Sequence, residues 1–257
     1  MRRLADQAGN MHNKSTGAVS MQRKTGSIPE NVALIPDGNR RWAKSHRLSL
    51  LTGYSRGVTK AIDFGMWLKD LGAKTLTIWA LSTENIGSRS AVELNVLYRL
   101  YIRAANDKKL LKLLADNHTR VNIIGNMRML PDNVRRALRL LESKTRKYSD
   151  FSINLLVAYG GRDDILYAAR KAASAAAHGN GTRITEDMIE SELRTASVPD
   201  PDLIIRTSGE QRLSGFLPWQ SSYSELYFSK KYWGDFSKDD LQRAVSEFSK
   251  RRRRYGK

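Results

Sequence analysis

The sequence predicts an α/β fold in a single domain, with a central, mostly parallel sheet covered by helices on both faces. Short continuous apolar runs, each bounded by turn residues, are typical of buried parallel strands. Segments with helical spacing of apolar residues separate these runs, and no linker or internal repeat divides the 257 residues. Strands that alternate with helices along a whole chain favour an open, mostly parallel sheet.

Five apolar runs are the predicted strands. They are Val32–Ile35, Thr75–Leu81, Val121–Ile124, Ile153–Ala158 and Leu203–Ile205. The runs are largely continuous rather than alternating, as expected for parallel strands that are covered on both faces. We therefore expect the sheet to form the middle layer of the fold.

One helix is predicted between the first and second strands, and another between the second and third. Ser90 and Glu93 have the spacing of a capping box, in which each residue bonds the backbone of the other at a helix start. The apolar stripes of the two predicted helices are Val58, Ile62 and Met66, and Val92, Val96 and Leu100.

Further helix boundaries follow from capping residues. Pro131 suits a helix N-terminus, and the hydroxyls of Thr185 and Ser237 suit N-caps of two later helices. An alanine-rich helix over Ile165–Ala177 is predicted to end at His178, where a glycine-rich loop begins.

The composition narrows the classes of function. There are 44 basic and 26 acidic residues, a formal net charge of +18, which is typical of proteins that bind nucleic acid, an anionic membrane surface or a polyphosphate substrate. The absence of cysteine excludes disulfide scaffolds, thiolate zinc sites and cysteine nucleophiles. No apolar run approaches the roughly 20 residues that span a bilayer.

The first 30 residues are basic and contain no long apolar stretch, which argues against a secretory signal. We expect a disordered basic tail over residues 1–30, a folded domain over residues 31–257, and a cytoplasmic location.

Polar residues follow each predicted strand at the point where it ends. Ligands of open parallel sheets bind beyond the carboxyl ends of the strands. The segments found there are Pro36–Trp42, Ser82–Asn85, Gly125–Asn126, Tyr159–Arg162 and Arg206–Ser214. They supply glycines, arginines, small hydroxyls and a carboxylate, and this mixture indicates a magnesium-diphosphate site.

The arginines are the main candidates for binding phosphate. Arg206 and Arg212, together with Arg40 or Arg41, offer forked donors that match the charge and geometry of a diphosphate. Glycines let backbone N–H groups approach the phosphate oxygens, and the Ser214 hydroxyl is a further donor.

Carboxylates are the candidates for binding metal. Mg²⁺ prefers one or two carboxylates together with phosphate oxygens and water, which Asp37 and Glu225 can supply. The simpler alternatives are that the Asp37 motif is an ordinary turn and that Ser82 only caps a helix. No phosphate-binding P-loop or dinucleotide fingerprint is present, and the four scattered histidines are expected at the surface.

Six ordered motifs resemble one protein family. They are Asp37–Trp42, Ser82–Asn85, Tyr159–Arg162, Asp202–Glu210, Gln211–Arg212 with Ser214, and Trp219 through Glu225–Phe228. From about Val32 to Gly256 the chain resembles the cis-prenyltransferases of the undecaprenyl diphosphate synthase and dehydrodolichyl diphosphate synthase family. This resemblance implies a cis-prenyltransferase domain over residues 31–257, with an apolar tunnel beside the sheet.

The resemblance also implies the reaction and the residues on its allylic side. The family joins isopentenyl diphosphate to an allylic prenyl diphosphate and forms a cis double bond. Asp37 is expected to hold Mg²⁺ on the allylic diphosphate, and Glu225 to help place the metal. Further substrate-binding residues implied by the first motif are Gly38, Asn39, Arg40, Arg41 and Trp42.

The other motifs imply the second substrate site. Arg206, Arg212 and Ser214 are expected to bind the diphosphate of isopentenyl diphosphate. Ser82 and Asn85 are expected to be catalytic, near the condensing carbons where the proton is lost. The further substrate-binding residues are Thr83 and Glu84, together with Arg254 and Gly256, which resemble a closing element that reaches the neighbouring subunit's site in a dimer.

The sequence departs from the family pattern only on the allylic side. The departures are Leu50 in place of an arginine, Tyr54 in place of a histidine, Ile86 in place of an aromatic residue, and Arg89 about one position late. We hypothesise that Tyr54 and Arg56 reshape the allylic pocket, with Arg89 also binding substrate there. The alternative to a regular cis polyprenyl product is therefore an irregular or short-chain product made from an atypical allylic substrate.

The sequence also bears on the assembly and the partners of the protein. A homodimer is expected, while a subunit of a heteromeric prenyltransferase is the alternative, although Asp37 argues for a catalytic chain. Binding of nucleic acid is not expected, because no recognition motif accompanies the charge. Peripheral contact with an anionic membrane suits both the basic charge and a lipid product. The two apolar helical stripes either line the tunnel or belong to the core.

Overall fold

The computed structural model describes residues 28–178 and 183–251, and within them the strands form a single six-stranded sheet. The strands are β1 (Asn31–Ile35), β2 (Thr75–Ser82), β3 (Thr119–Ile124), β4 (Phe151–Tyr159), β5 (Leu203–Arg206) and β6 (Glu225–Phe228). Their order is β3-β4-β2-β1-β5-β6, and every adjacent pair is parallel. The carboxyl ends of all six strands therefore lie at the same end of the sheet.

The described residues contain nine α-helices. They are α1 (Asn39–Ser45), α2 (Leu50–Asp70), α3 (Thr83–Ser88), α4 (Ala91–Asn106), α5 (Lys108–Asp116), α6 (Asp132–Thr145), α7 (Gly161–His178), α8 (Glu186–Glu192) and α9 (Lys238–Lys250). Short 3-10 turns lie at Met127–Met129 and Trp233–Asp235.

The five predicted strands and the α/β fold class are confirmed, and the sixth strand was not predicted. Glu225–Phe228 is only four residues long, begins with a carboxylate and is half-buried, so it lacks the continuous apolar signal of a central strand. It pairs with β5 at the edge of the sheet.

Most predicted helix boundaries are confirmed, but the capping box at Ser90 is only half right. The Ser90 hydroxyl accepts a hydrogen bond from the Glu93 N–H. The Glu93 carboxylate does not return to the cap and instead bonds Tyr54 and two arginines. A reciprocal capping box is found at the start of α9, between Ser237 and Asp240.

Two apolar layers hold the sheet. On one face, side chains of α2 and α9 such as Phe64, Leu68 and Leu241 pack on β1 and β5. On the other face, Val198 and Phe216 pack against inward-facing residues of β1, β4 and β5. Val198 belongs to the connection from β4 to β5 and Phe216 to the connection from β5 to β6, so these two connections cover the second face of the sheet.

Helix α6 covers β3, one of the two edge strands of the sheet. The Thr145 hydroxyl accepts from the Val121 N–H at 3.0 Å, and the Glu142 carboxylate accepts from the Ile123 N–H at 2.9 Å. Both N–H groups belong to β3, the edge strand, so side chains of α6 replace a neighbouring strand. In the described part of the chain, no helix is long and apolar enough to cross a membrane.

The predicted tail and the predicted C-terminal element fall largely beyond this description. Residues 1–27 of the expected tail, Arg254 and Gly256 all lie outside the described residues.

Candidate active site

The centre of the site is an ion pair between two neighbouring strands. Because Ile35 pairs with Arg206 in the sheet, Asp37 comes to lie beside Arg206 just beyond the strand ends. The Arg206 Nη2 donates to Asp37 Oδ2 at 2.9 Å. The Thr207 hydroxyl donates to the Asp37 carbonyl at 2.7 Å, which fixes the backbone of the first motif.

Arg206 is held rigidly and is almost fully buried. Its Nη1 donates to the Ser214 hydroxyl at 2.8 Å and to the Arg212 carbonyl oxygen. Three of the predicted substrate-binding residues are therefore brought together by one guanidinium. Its remaining Nε–H has no partner among the described residues.

Charged side chains form a second group at the rim of the site. Arg41 bonds Asp37 at 3.3 Å and Glu210 at 3.0 Å, and Arg212 bonds Glu210 at 2.6 Å. The hydrogen bonds from Arg41 and Arg212 hold the pKa of Glu210 below its ordinary value. Burial by itself lowers the pKa of Arg41, but its bonds to Glu210 and Asp37 outweigh burial and raise it, so this cation stays charged.

The loop after β5 has an unusual backbone. Ser208, Ser214 and Leu217 have φ of 82°, 55° and 48°, in the left-handed region that non-glycine residues seldom adopt. Such conformations persist where the surroundings impose them, and they cluster at functional sites. This loop supplies Ser214 and Arg212 to the site.

A buried carboxylate organises the allylic side. Glu93 accepts a hydrogen bond from the Tyr54 hydroxyl and pairs with Arg89 at 3.3 Å and Arg40 at 3.6 Å. Arg89 also donates to the Tyr54 hydroxyl at 3.1 Å. Burial, and then the bond to Glu93, raise the pKa of Tyr54 above its ordinary value, so the phenol remains a donor at neutral pH.

Glu93 was not predicted as a site residue. In the sequence, Glu93 was interpreted as the second residue of a capping box, so no further role was sought for it. Its contact with Tyr54 follows from the packing of α2 against α4. The departures at Tyr54 and Arg89 were the sequence signals that pointed to this region.

The second motif lies at the end of β2. The Ser82 hydroxyl caps α3 by accepting a hydrogen bond from the Asn85 N–H at 3.0 Å. The simpler alternative, that Ser82 caps a helix, is therefore correct. Ser82, Glu84 and Asn85 also line the same cavity as Asp37. Thr83 does not line it and instead lies against Gly160.

An apolar cavity of about 840 Å³ extends from these residues along the sheet. Its lining along β2 runs from Ser82 at the carboxyl end to Leu76 near the start, a length of roughly 20 Å at about 3.3 Å per residue. Val58, Ala61 and Ile62 of α2 form part of the wall, as the sequence allowed. We call this cavity the tunnel.

The face of α4 that lines the tunnel differs from the predicted stripe. Leu97, Tyr101 and Ala104 contribute to the wall, whereas Val92 points outward and is 73% exposed. Leu100 is buried in the core. The apolar spacing was correct for a helix but did not show which side faces the tunnel.

Two other predicted residues lie outside the tunnel wall. Trp42 is buried behind the site, where its Nε1 donates to Asp235 at 2.6 Å and its ring stacks on His46. Arg56 is exposed on α2 and does not line the tunnel. Gly38, Asn39, Arg40, Arg41, Tyr54 and Arg89 all line it.

Glu225 requires a correction, because the structure places it at the other end of the sheet. It begins β6 and pairs with Leu203, three residues before Arg206 and therefore roughly 10 Å from the carboxyl ends. Its carboxylate bonds Arg251 at 2.7 Å. The prediction that Asp37 and Glu225 share a metal is therefore wrong within one chain, because sequence motifs do not reveal strand register.

The remaining donor set still suits a phosphate-bound metal. Among the described residues, no three histidines or carboxylates cluster in a way that could hold a metal ion. Asp37 offers a single carboxylate, and Mg²⁺ is commonly held by one or two carboxylates together with substrate phosphates. The residues therefore fit a metal that arrives with a diphosphate.

Buried polar atoms without partners concentrate at this site. Five such side-chain atoms occur in the described residues, and four belong to Asn39, Arg89, Arg206 and Ser208. An unpaired buried donor or acceptor costs roughly 1–3 kcal/mol, so each calls for an explanation. An anionic ligand bound at the mouth of the tunnel would supply acceptors for the Nε–H donors of Arg89 and Arg206, because both residues line the tunnel.

Known proteins are similar to this chain over most of its sequence. A family model described as putative undecaprenyl diphosphate synthase matches residues 35–256. The tritrans,polycis-undecaprenyl-diphosphate synthase (geranylgeranyl-diphosphate specific) of Methanopyrus kandleri is 43% identical over 242 residues, covering 91% of this chain and 87% of that protein. The isoprenyl transferase of Thermotoga maritima is 42% identical over 229 residues, covering 89% and 97%.

A solved structure is also closely similar. Lavandulyl diphosphate synthase from Lavandula x intermedia, in complex with dimethylallyl diphosphate, has a TM-score of 0.84 and 36% identity, and covers 90% of this chain and 99% of that chain. With the matched family model and the site described above, this shows that the chain belongs to the cis-prenyltransferase family.

Proposed function

We propose that this cis-prenyltransferase elongates an allylic prenyl diphosphate with isopentenyl diphosphate to give a cis polyprenyl diphosphate. The observation that supports this most strongly is the Asp37–Arg206 pair at the mouth of the tunnel. Groups suited to diphosphates stand there beside an apolar space suited to a growing isoprenoid chain.

The two diphosphates bind on the two sides of that pair. Arg206, Arg212 and Ser214 lie on one side and bind isopentenyl diphosphate, with the unpaired Nε–H of Arg206 as an additional donor. Asp37, with Arg41 at 3.3 Å, lies on the allylic side. Forked guanidinium groups bind phosphate oxygens in pairs, which fixes orientation as well as affinity.

Magnesium is the proposed cofactor, held by Asp37 and substrate phosphate oxygens. When bound, it supplies Lewis-acid stabilisation of the negative charge that develops on the departing diphosphate. The arginines at the rim stabilise the same charge through hydrogen bonds.

The residues of the chain direct the remaining chemistry. The allylic C–O bond breaks and diphosphate departs, the allylic carbon bonds to the terminal alkene carbon of isopentenyl diphosphate, and a proton is lost to form the new double bond. Ser82 and Asn85 line the tunnel near the strand end and position the condensing carbons. The apolar wall excludes water, which would otherwise capture the allylic cation.

Geranylgeranyl diphosphate is the proposed allylic substrate. Several relatives at 38–43% identity carry the description geranylgeranyl-diphosphate specific in their names. The altered residues Tyr54 and Arg89 line the tunnel on this allylic side, so they are the residues that adapt the pocket to its primer.

An assay with a panel of primers tests the proposal. Purified full-length protein is incubated with Mg²⁺, labelled isopentenyl diphosphate and dimethylallyl, geranyl, farnesyl or geranylgeranyl diphosphate. The proposal predicts the highest kcat/KM with geranylgeranyl diphosphate and cis double bonds in the product by NMR. Branched products from short primers would support the irregular-linkage alternative, and no incorporation with any primer would overturn the function.

A homodimer is the proposed assembly, and complementation tests it. The family resemblance implies that Arg254 of one subunit acts in the site of its neighbour. An inactive Asp37→Ala chain mixed and refolded with an inactive Arg254→Ala chain would then contain hybrid dimers with one complete site. Recovered activity supports action between subunits, whereas no recovery from mixtures that do form hybrids contradicts it.

A further inference from the structure

Half of the net charge of the chain lies in one stretch. Residues 99–147 contain thirteen basic and four acidic residues, a net +9 out of +18. This stretch includes the second half of α4 together with α5, β3 and α6. These elements pack around one apolar cluster that includes Ala105, Leu114 and Leu141, so the charge belongs to one continuous part of the structure.

The acidic residues of this stretch leave most of its positive charge uncompensated. Asp107 caps α5, and Glu142 accepts from the edge strand β3. Asp116 and Asp132 each pair with a basic residue of their own helix. Counting partners among the described residues, only two of the thirteen basic side chains of the stretch are therefore in ion pairs.

The uncompensated charges point outward. Arg99 and Arg103 are exposed on α4, one helical turn apart, and Arg136 and Arg139 occupy equivalent positions on α6. With Lys108 and Lys109, which are exposed at the start of α5, they define what we call the basic face: Arg99, Arg103, Lys108, Lys109, Arg136 and Arg139. Across the residues that the structure describes, no carboxylate lies within 4.0 Å of these six cations.

The same three helices form the wall of the deep end of the tunnel. Their inner sides contribute Ala104 from α4, Leu110 and Leu114 from α5, and Leu141 from α6. A single layer formed by α4, α5 and α6 thus separates the tunnel from the basic face. Leu140 lies on the outer side of α6 beside Arg136 and Arg139 and is 41% exposed.

We propose that the basic face is the docking surface for an anionic lipid bilayer, with the deep end of the tunnel turned toward the membrane. Arginine and lysine are attracted to the negative potential of anionic lipids, and an exposed leucine among them suits the headgroup boundary. The role of the tunnel rests on the proposed function, whereas the attraction of the basic face to a bilayer does not.

The composition of the face favours lipid over nucleic acid. Three tyrosines lie in or directly beside residues 99–147, and none of them is exposed: Tyr101 is buried, and Tyr98 and Tyr148 are half-buried. Single-stranded nucleic acids are bound largely by stacking bases on exposed aromatic rings. The basic face offers charge and an aliphatic side chain instead.

Vesicle sedimentation tests the location of the docking surface. Full-length protein is mixed with vesicles of phosphatidylcholine alone or with one-third phosphatidylglycerol. The quadruple variant Arg99→Glu, Arg103→Glu, Arg136→Glu and Arg139→Glu is expected to lower the partition coefficient onto anionic vesicles by about a hundredfold or more. The control makes the same charge change away from the face, through Arg170→Glu, Lys171→Glu, Arg183→Glu and Lys230→Glu, and is expected to change binding less than about tenfold.

Equal losses in both variants would show that net charge alone drives binding, and would overturn the proposal. So would equal binding to both vesicle types, no binding at all, or loss of RNA binding by the first variant without any vesicle binding by the native protein. Neither substrate is needed, so this result is independent of whether the proposed reaction occurs.

The absence of cysteine allows a second, local test. Leu140→Cys and Leu166→Cys place a single environment-sensitive fluorophore on α6 or on α7, at leucines that are 41% and 54% exposed. Anionic vesicles are expected to shift the emission of the α6 label to shorter wavelength and leave the α7 label unchanged. The reverse pattern, or equal shifts, would contradict docking through the basic face.

Discussion

At the residue scale, the site depends on how completely each side chain is buried and paired. The side chain of Arg206 is 6% exposed and that of Arg212 is 62% exposed, although both belong to the same predicted set. The sequence predicts which residue types a diphosphate needs, but it does not distinguish a buried arginine from an exposed one. The structure therefore ranks these arginines by burial, whereas the motifs give both the same role.

This ranking gives the first prediction. Arg206→Ala is expected to raise the KM for isopentenyl diphosphate by about 10- to 100-fold, because charge-assisted hydrogen bonds contribute about 1.5–3 kcal/mol. Arg212→Ala, which removes an exposed partner, is expected to have a smaller effect. Steady-state kinetics with each substrate varied in turn measures both, and a larger effect at Arg212 would contradict the assignment.

The Glu93 cluster gives the second prediction. Glu93→Gln leaves Arg89 and Arg40 without their shared carboxylate, so the KM for the allylic diphosphate is expected to rise by about tenfold or more. The KM for isopentenyl diphosphate should stay within about twofold. Equal changes in both constants would instead indicate general disruption of the fold, which a thermal melt of the variant checks.

Tyr54→Phe is the matched control for this cluster, because it removes one hydroxyl and keeps the Arg89–Glu93 pair. The raised pKa of Tyr54 keeps its phenol protonated below its ordinary pKa of about 10, so the variant's defect should not change between pH 7 and 9. A defect that changed over that range would indicate that the phenol ionises in the active enzyme.

At the scale of elements, close helix packing sets the position of the first motif. Helices α1 and α2 approach at glycines, and a Cβ on Gly57 would meet Asn39 Oδ1 at 2.3 Å. The third prediction is that Gly57→Ala displaces Asn39 and lowers kcat/KM by about tenfold to a hundredfold. Unchanged kinetics would show that Asn39 moves without consequence.

Gly65→Ala in the same helix is the control for that substitution. A Cβ there meets no atom closer than 3.5 Å, which is ordinary contact. Since alanine favours helix over glycine, the control is expected to stabilise the protein by about 0.5–1 kcal/mol in urea unfolding and to keep its activity.

Elements with strong periodic signals could be predicted from the sequence, and those defined by tertiary contacts could not. The start of α6 follows from Pro131, and the starts of α8 and α9 follow from the capping hydroxyls of Thr185 and Ser237, all of which act locally. In contrast, the strand over Glu225–Phe228 is half-buried and short, and its register alone decides where Glu225 lies. The expectation that Glu225 shares a metal with Asp37 of the same chain failed for that reason.

At the scale of the whole molecule, the tunnel connects the charged edge of the sheet with its apolar interior. Core and tunnel wall both require apolar side chains, so the sequence could not separate Leu97, which lines the tunnel, from Leu100, which is core. That distinction arises only when α2 and α4 are placed over the sheet.

The fourth prediction concerns the length of the product. Ala104→Phe places a ring in the tunnel wall and is expected to shorten the longest product by at least one isoprene unit. Asn95→Phe adds the same ring on the exposed side of α4 and should leave the product distribution unchanged. Thin-layer chromatography or mass spectrometry of the labelled products distinguishes the two.

The central claim is that the edge of one sheet holds two diphosphates side by side at the mouth of the tunnel. Isothermal titration with isopentenyl diphosphate and a non-ionising thio analogue of geranylgeranyl diphosphate, with Mg²⁺ present, measures this most directly. We predict one site per chain for each ligand, simultaneous occupancy, and selective loss of isopentenyl diphosphate binding in Arg206→Ala. Mutual exclusion of the two ligands, or equal loss of both in that variant, would contradict the claim.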